Sequence, residues 1–449
     1  MHEGFYADIQ ETIVAVATAS GKGGVGIVRL SGPLAAEICE RVIGCLPKPR
    51  FAHYAAFQDI DKTPIDFGLT LYFKGPHSFT GEDVVEFQGH GGPIVLDQMV
   101  QRCIALGARL ARPGEFSERA FLNGKIDLVQ AEAIADLISA STVAAAKSAL
   151  NSLKGTFSEQ IKVLDKSVVD MRMYIEAAID FPDEELEFIK HGQIQQKLEA
   201  VLKTLEALFK TAKQGVLLKD GMTVALIGEP NVGKSSLLNA LCEEEVAIVS
   251  PIPGTTRDLV KEQINLDGIP LQVIDTAGIR DNVDAIEAEG IYRAQSRIAS
   301  VDKILWITDN QSTTPPEQLR AILEQYPEKV LQIINKIDIS GQLPGHRQGA
   351  IFISAKTRAG ITNLKKALKD ESDSQQAESI FIARRRHIVS ISLGKEHIEE
   401  ALKLLEQRFS GECIAEELRL AHLAFSEITG EFRADDLLGK IFSEFCIGK

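Results

Sequence analysis

Gly228-Glu-Pro-Asn-Val-Gly-Lys-Ser235 sets two glycines, a lysine and a hydroxyl at the spacing G-x-x-x-x-G-K-[ST]. Each residue type has a task in holding a phosphate chain. Glycine lets the backbone approach phosphate oxygens closely or take φ > 0. The loop N–H groups and the positive end of the following helix cradle a β-phosphate. Lys234 would reach the β- and γ-phosphates, and the Ser235 hydroxyl would hold magnesium. The chemistry requires a strand before the loop and a helix after it. Ala225-Leu-Ile227 is apolar, and Ser236-Leu-Leu-Asn-Ala240 carries on as an apolar helix start, so both are present in the sequence.

Later stretches settle which nucleotide. Val273-Ile-Asp-Thr-Ala-Gly278 is an apolar strand that ends in Asp275, a carboxylate beside the phosphates, followed by Thr276, Ala277 and Gly278. Gln332-Ile-Ile-Asn-Lys-Ile-Asp338 is a buried strand ending in N-K-x-D, which supplies Asn335, Lys336 and Asp338. Asp338 can accept from both N1–H and N2–H₂ of guanine. Adenine offers no such pair and would leave a buried carboxylate unpaired, a mismatch worth roughly 10⁴–10⁵-fold. Ile351-Phe-Ile-Ser-Ala-Lys356 supplies the last strand and the base loop Ser354-Ala355-Lys356. Gly254-Thr-Thr-Arg-Asp258 lies between the first two elements, where a mobile threonine can cap magnesium. In this order the five elements resemble the small GTPases of the translation-factor kind. One part is missing: Gly278 is followed by Ile279 and Arg280, with no glutamine to orient the attacking water.

These loops need a scaffold, and the 449 residues suffice for about two to four domains. The chain is 45% hydrophobic and 25% charged, as for a soluble globular protein. There is no apolar run of membrane-spanning length, and Glu3, Asp8 and Glu11 argue against a signal peptide. Cys39, Cys45, Cys103, Cys242, Cys413 and Cys446 are scattered without C-x-x-C, which points to a reducing cytoplasm and away from structural zinc. The net charge of −14 means that any nucleic-acid contact must use a local basic patch.

Residues 1–120 read as α+β. Strands are expected at Thr12–Ala17, Gly26–Leu30, Phe67–Phe73 and Asp83–Gln88, with helices from Pro33 to Ile43 and Pro93 to about Leu106. Gly21–Gly26 matches G-x-G-x-x-G, but a strand follows it where the dinucleotide fingerprint needs a helix, so it reads as a hairpin turn. Ser78–Gly92 and Arg112–Lys125 are polar, glycine-rich islands of the kind that carry function. His90 within the first reads as a hydrogen-bonded rather than a catalytic histidine. Residues 121–216 are helical, broken at Pro182, with a new helix started by Asp183 to Glu187. Residues 217–376 hold the nucleotide domain, and 377–449 return to helix. A nucleotide domain between two helical stretches reads as an insertion. Arg384-Arg-Arg-His387 is either a solvated helix face or a contact to RNA or to acids of another domain. Cys446-Ile-Gly-Lys449 only superficially fits a prenylation box, because Gly448 is not aliphatic. The apolar tail Ile441–Phe445 is expected to dock.

Gly228–Ser236, Pro253–Asp258, Asp275–Arg280, Phe79–Asp83, Gln88–Gly92, Arg112–Asn123, Phe181–Glu185, Ala383–His387 and the terminal Cys-Ile-Gly-Lys together resemble the MnmE (TrmE) family of tRNA-modification GTPases, end to end. The resemblance implies an N-terminal tetrahydrofolate-binding α+β domain, a discontinuous all-α domain and an inserted P-loop GTPase α/β domain. It implies a homodimer, paired through its N-terminal domains, that works with the FAD protein MnmG (GidA) on the wobble uridine of certain tRNAs, away from membranes. The one-carbon unit comes from a 5-formyl- or methylene-tetrahydrofolate. Folate contacts map to Arg29, Glu86, Lys125 and Lys449, with Cys446 as a possible reactive thiol. GTP contacts map to Asn231, Val232, Gly233, Lys234, Ser235 and Ser236, to Ser250, Pro251, Ile252, Pro253, Gly254, Thr255 and Thr256, and to Asp275–Gly278, Asn335, Lys336, Asp338 and Ser354–Lys356. Thr256 would join Ser235 on magnesium. Asn231, Ser250, Ile252 and Thr255 would hold a potassium ion when two GTPase domains pair, and Glu287 would orient water indirectly. Two other readings stand beside it: an RNA-binding assembly GTPase of the Era or Der kind, and a folate-dependent aminomethyltransferase regulated by GTP.

Overall fold

The structure is a computed structural model, and it describes residues 11–180, 191–229, 231–242, 262–266, 269–275, 301–309, 320, 323–347, 349–368, 380–407, 409–431, 435–443, 445 and 448. It divides into two compact units. One takes residues 1–135, 157–190 and 396–449; the other takes 136–156 and 191–395.

In the first unit β1 (Ile13–Val16), β2 (Gly23–Ser31), β3 (His53–Gln58), β4 (Pro64–Phe73), β5 (Val84–Gly91) and β6 (Arg109–Leu110) form a six-stranded sheet in the order β3-β4-β5-β2-β1-β6. β1 and β2 are an antiparallel pair, and Gly21 between them takes φ 123°, so the glycine run makes the expected hairpin. One face of the sheet packs Val14, Val28, Leu30, Val85 and Phe87 against the helices Ala35–Ile43 and Pro93–Ala105. Phe57 and Phe87 meet edge to face at 5.4 Å there, a geometry worth about 0.5–1.5 kcal/mol beyond burial. On the other face, at the β1 end, Ile13 and Ala15 pack on Ala111 and Phe116, the last carried by helix Glu115–Leu122. β3 and β6 have no counterpart in the sequence reading. β3 is a half-exposed edge strand and β6 has two residues, so neither shows a clear alternation.

The same unit holds helices Thr156–Asp180 and Gly411–Thr429, joined by the His422 Nδ1 to Asp165 Oδ1 contact of 2.7 Å. The tail docks as expected. Ile441, Phe442 and Phe445 pack with Phe121 and Leu128. Gly114 takes φ 67°, and a side chain there would meet the Phe442 carbonyl at 2.6 Å and Phe445 Cβ at 3.0 Å. Gly448, at φ 93°, lies against the Val16 carbonyl at the end of β1.

In the second unit β7 (Met222–Ile227), β8 (Glu262–Leu266), β9 (Ile269–Asp275), β10 (Lys303–Asp309), β11 (Val330–Asn335), β12 (Gly345–Arg347) and β13 (Ala350–Phe352) form a seven-stranded sheet, ordered β12-β13-β11-β10-β7-β9-β8. The five central strands are parallel and both edges antiparallel. Val224, Leu226, Leu305 and Ile333 are buried with Leu237 and Leu241 of helix Lys234–Cys242, while Ala225, Ile227 and Ile304 are buried with Val301 on the other face. Burial on both faces is why these strands read as continuous apolar runs. Helices Val143–Leu153 and His191–Asp220 belong to this unit, and Ser152 and Asn151 donate to the carbonyls of Ile382 and Ile380.

Candidate functional site

β7 runs straight into the glycine loop, and the loop into helix Lys234–Cys242. Gly228 sits where a side chain would strike the Ile307 carbonyl of β10. Asn231 adopts the left-handed region at φ 61°, which asparagine tolerates better than most residues. Lys234 Nζ donates to the carbonyls of Gly228 and Glu229, both at 2.9 Å, so the lysine folds back along the loop it follows. Asn231, Ser235 and Ser236 are exposed at the loop surface, while Val232 is buried beneath it.

The N-K-x-D and Ser-Ala-Lys segments meet this loop through one side chain. Asn335, only 2% exposed at the end of β11, donates from Nδ2 to the Val232 carbonyl (2.9 Å) and accepts at Oδ1 from the Ala355 N–H (2.9 Å). It ties the phosphate loop to the Ser354-Ala-Lys loop. Gly233 (φ 98°) must be glycine for the same reason, since a Cβ there would overlap the Asn335 amide. Sequence reasoning placed Asn335 among nucleotide contacts and missed this clamp; the paired glycine was the available signal. Lys336 takes φ 64° and its Nζ lies 3.4 Å from Asp309 Oδ2 at the end of β10. Asp338 opens the short helix Ile337–Ser340 and accepts from Ser354 Oγ at 2.6 Å, and Ser354 Oγ in turn accepts from Thr357 N–H. Asp338 is exposed, not buried as the sequence reading had it, because it sits on the first turn of a surface helix. A base lying over it would have to supply the exclusion of water. Lys356 is exposed beside it.

On the six-stranded sheet the β2–β5 register sets Arg29 opposite Glu86. Arg29 Nε and Nη2 both lie 2.9 Å from Glu86 Oε1, and Gln88 donates to Glu86 Oε2 at 3.1 Å. The guanidinium stands 5.7 Å from the Phe116 ring centroid and donates to the Gly448 carbonyl at 3.4 Å. Lys125 is exposed, with its stem over Gly81. Behind the pair lies a network the sequence did not reveal. Arg119, 2% exposed, reaches Glu82, Glu115 and the Glu11 carbonyl; Arg109 binds Glu115 from the other side, and Ser31, two residues after Arg29, contacts Glu82 and Thr80, each at 2.6 Å. Burial alone would raise the Glu115 carboxyl, but hydrogen bonds from Arg109 and the Arg112 N–H, with the Arg119 charge, hold it at about 2. Both polar islands of the sequence therefore join in one ionic lattice. His90 Nδ1 and N–H engage Asp66 at 2.8 and 2.7 Å, which is a hydrogen-bonded histidine on the surface.

The basic run is anchored within its own unit. Arg384 meets Asp136 at 3.0 Å, Arg385 lies 3.5 Å from Asp220, and the buried His387 accepts from the Arg384 N–H. Ser250–Thr256, Thr276–Gly278, Arg280, Glu287, Cys446, Lys449 and the expected helix start at Asp183–Glu187 lie outside the described residues, and only the strand position of Asp275 is described.

Family models match the chain in two places: the N-terminus of the GTP-binding protein TrmE over residues 12–125, and the MnmE helical domain over residues 128–446. The chain belongs to the MnmE family. Two relatives each called tRNA modification GTPase MnmE illustrate how close it stands. That of Chromohalobacter salexigens is 50% identical over 98% of each chain, and that of Pectobacterium atrosepticum is 51% identical over 98% of this chain and 99% of its own. Era of Aquifex aeolicus is 27% identical over 39% of this chain and 66% of its own, at a TM-score of 0.25. The sheet order, five parallel strands with the phosphate loop after β7, is itself that of a P-loop GTPase. Family and fold together make the chain a GTP hydrolase. Among the described residues, no helix is long and apolar enough to cross a membrane.

Proposed function

We propose that the chain hydrolyses GTP to drive modification of tRNA, and that with MnmG it adds an aminomethyl or carboxymethylaminomethyl group at C5 of the wobble uridine. The observation that carries this reading is that one family-wide chain holds two separate sets of chemistry: the clamp of phosphate loop and base loop on one sheet, and the Arg29–Glu86 pair on the other.

At the first site Lys234 would neutralise the β- and γ-phosphates, Ser235 with Thr256 would hold magnesium, and Asp338 would accept from guanine. The exposed Ser235 hydroxyl at a helix N-terminus suits that task. Asn231, with Ser250, Ile252 and Thr255, would hold a potassium ion that offsets charge between the phosphates, a task left open by the missing glutamine. Glu287 would position water. At the second site the Glu86 carboxylate and Arg29 guanidinium form a donor–acceptor edge that fits a reduced pterin, so Arg29, Glu86, Lys125 and Lys449 would hold a tetrahydrofolate that supplies the one-carbon unit. Cys446 would lie near it. We take the domain limits as 1–120, 121–216, 217–376 and 377–449, the working form as a homodimer and the compartment as the cytoplasm.

Mass spectrometry of wobble uridines in total tRNA from cells lacking the protein tests the reading. Loss of the C5 substituent is expected, and unchanged uridines would refute it.

A further inference from the structure

One surface of the first unit serves neither site. We propose that the edge strand β3, the segment leading into it and the loop after β4 receive the unpaired loop of the RNA substrate. This rests on the tRNA-modifying reading above and adds to it the place of contact.

Charge is the first argument. Segments 44–58 and 67–81 contain no aspartate or glutamate, in a chain with 63 acidic residues and a net charge of −14. They do contain Lys48, Arg50 and Lys74, all exposed. Strand pairing brings the two segments together: Tyr54 is opposite Leu69, the Arg50 N–H donates to the Tyr72 carbonyl at 2.8 Å, and the Arg50 guanidinium donates to the His77 carbonyl. The carboxylates that flank the segments are engaged elsewhere. Asp66 holds His90, Glu82 holds Arg119 and Ser31, and Asp83 accepts from the Tyr72 hydroxyl and the Gly75 N–H. Asp59 and Asp61 lie in the turn at the far end of the β3–β4 hairpin. Among the described residues no carboxylate pairs with Lys48, Arg50 or Lys74, so a polyanion arriving at this edge meets a local cationic patch, all that an acidic protein can offer it.

Aromatic exposure is the second argument. Tyr54 is 68%, Phe51 58% and Phe79 40% exposed. Lys48 Nζ lies 4.4 Å from the Phe51 ring centroid, and the Arg50 guanidinium 5.8 Å from that of Phe73. Rings in water with cations beside them suit unstacked bases whose phosphates follow the cations. A duplex hides its base faces, so the fit is to a single-stranded loop. A wobble base must leave its stack before chemistry at C5, so such a platform has a use here. The competing occupant of an edge strand is a second copy of the chain.

The test is fluorescence anisotropy of the full chain with a labelled synthetic anticodon stem-loop bearing uridine at the wobble position. Phe51→Ala and Tyr54→Ala should each weaken binding roughly 5- to 150-fold if its ring stacks a base. Lys48→Ala with Lys74→Ala should lower the slope of log affinity against log salt by about 0.7 for each phosphate no longer neutralised. A blunt RNA duplex should respond to the charge variants and not to the aromatic ones. GTP turnover should be unchanged in all, which reports correct folding. Wild-type affinity and slope in every variant would overturn the assignment. So would a change in molar mass by light scattering at unchanged RNA affinity, which would give the edge to a second copy. If wild type fails to bind the stem-loop while cells lacking the protein lose the uridine modification, the surface assignment fails and the function stands; if the modification also persists, the function fails with it.

Discussion

At the phosphate loop the residues that matter are neighbours. Gly228, Asn231, Gly233, Lys234 and Ser235 occupy one strand-to-helix junction, and Asn335 joins it to the base loop with two hydrogen bonds. At the Arg29–Glu86 pair nothing is local: the partners are 57 residues apart, and the Gly448 carbonyl is 419 residues from Arg29. The first site depends on backbone conformation, on glycines that no side chain may replace. The second depends on register, because a slip of one residue between β2 and β5 would turn Arg29 to the other face of the sheet. A motif fixes the one; a whole sheet and an ionic lattice fix the other.

The largest expected effect separates the two sites cleanly. Asp338→Asn replaces an acceptor by a donor at the guanine edge, and preference should move from GTP to XTP by roughly 10⁴–10⁵-fold. Nucleotide titration would show it, with folate affinity unmoved; a mutant that still prefers GTP would displace the guanine pocket from Ser354 and Asp338.

Next comes the missing glutamine. Turnover in potassium should exceed that in sodium at equal ionic strength by about 10³–10⁵-fold, the worth of an arginine finger. Asn231→Ala should abolish that ratio and leave GTP affinity nearly intact. Equal rates in the two salts would refute the potassium site.

The lattice beneath the second site should cost less but act more widely. Arg119→Met removes the guanidinium shared by Glu115 and Glu82, leaving Glu115 to Arg109 and Glu82 to the Ser31 hydroxyl, and should destabilise the chain by about 1.5–3 kcal/mol in urea titration, the worth of hydrogen bonds to charged groups. Its pH dependence follows from Glu115, whose carboxyl is held at about 2 against an ordinary 4.5. A lowered folded value stabilises above the unfolded one, so this contribution, on the order of 3 kcal/mol, is complete above the ordinary value and lost as pH falls from 4.5 towards 2. Glu115→Gln should be less stable at neutral pH yet flatter through that acid range. A parallel decline in both proteins would show that Glu115 is not the titrating group.

The smallest effect is the sharpest on the comparison. Arg29→Ala or Glu86→Ala should weaken formyl-tetrahydrofolate roughly 10- to 100-fold by calorimetry, the worth of charge-assisted hydrogen bonds, while GTP turnover stays at wild-type level. Full folate affinity in both would leave the pair as a structural bridge.

The same contrast explains what could be read in advance. The phosphate loop, N-K-x-D and Ser-Ala-Lys carry their chemistry within short windows flanked by buried strands, so residue types and spacing reveal them. Arg29 and Glu86 came only from family resemblance, since strand register is not written in either strand. Ser78–Gly92 and Arg112–Lys125 stood out as polar and glycine-rich, yet nothing in composition pairs Glu82 with Arg119 across 37 residues. Asn335 was visible as a residue and invisible as a clamp, because its partners Val232 and Ala355 lie 103 and 20 positions away.

Gly448 rests on the end of β1 and offers its carbonyl to Arg29. A ribosome adds about 5–20 residues per second, so the strand bearing Arg29 waits roughly 20–80 s for a partner 419 positions downstream. The six-stranded sheet has time to form first, and the tail then closes over a finished surface. Synthesis thus sets an order of assembly: the bridge between Arg29 and Glu86 closes within the sheet, and the Gly448 carbonyl is the last of Arg29's partners to arrive.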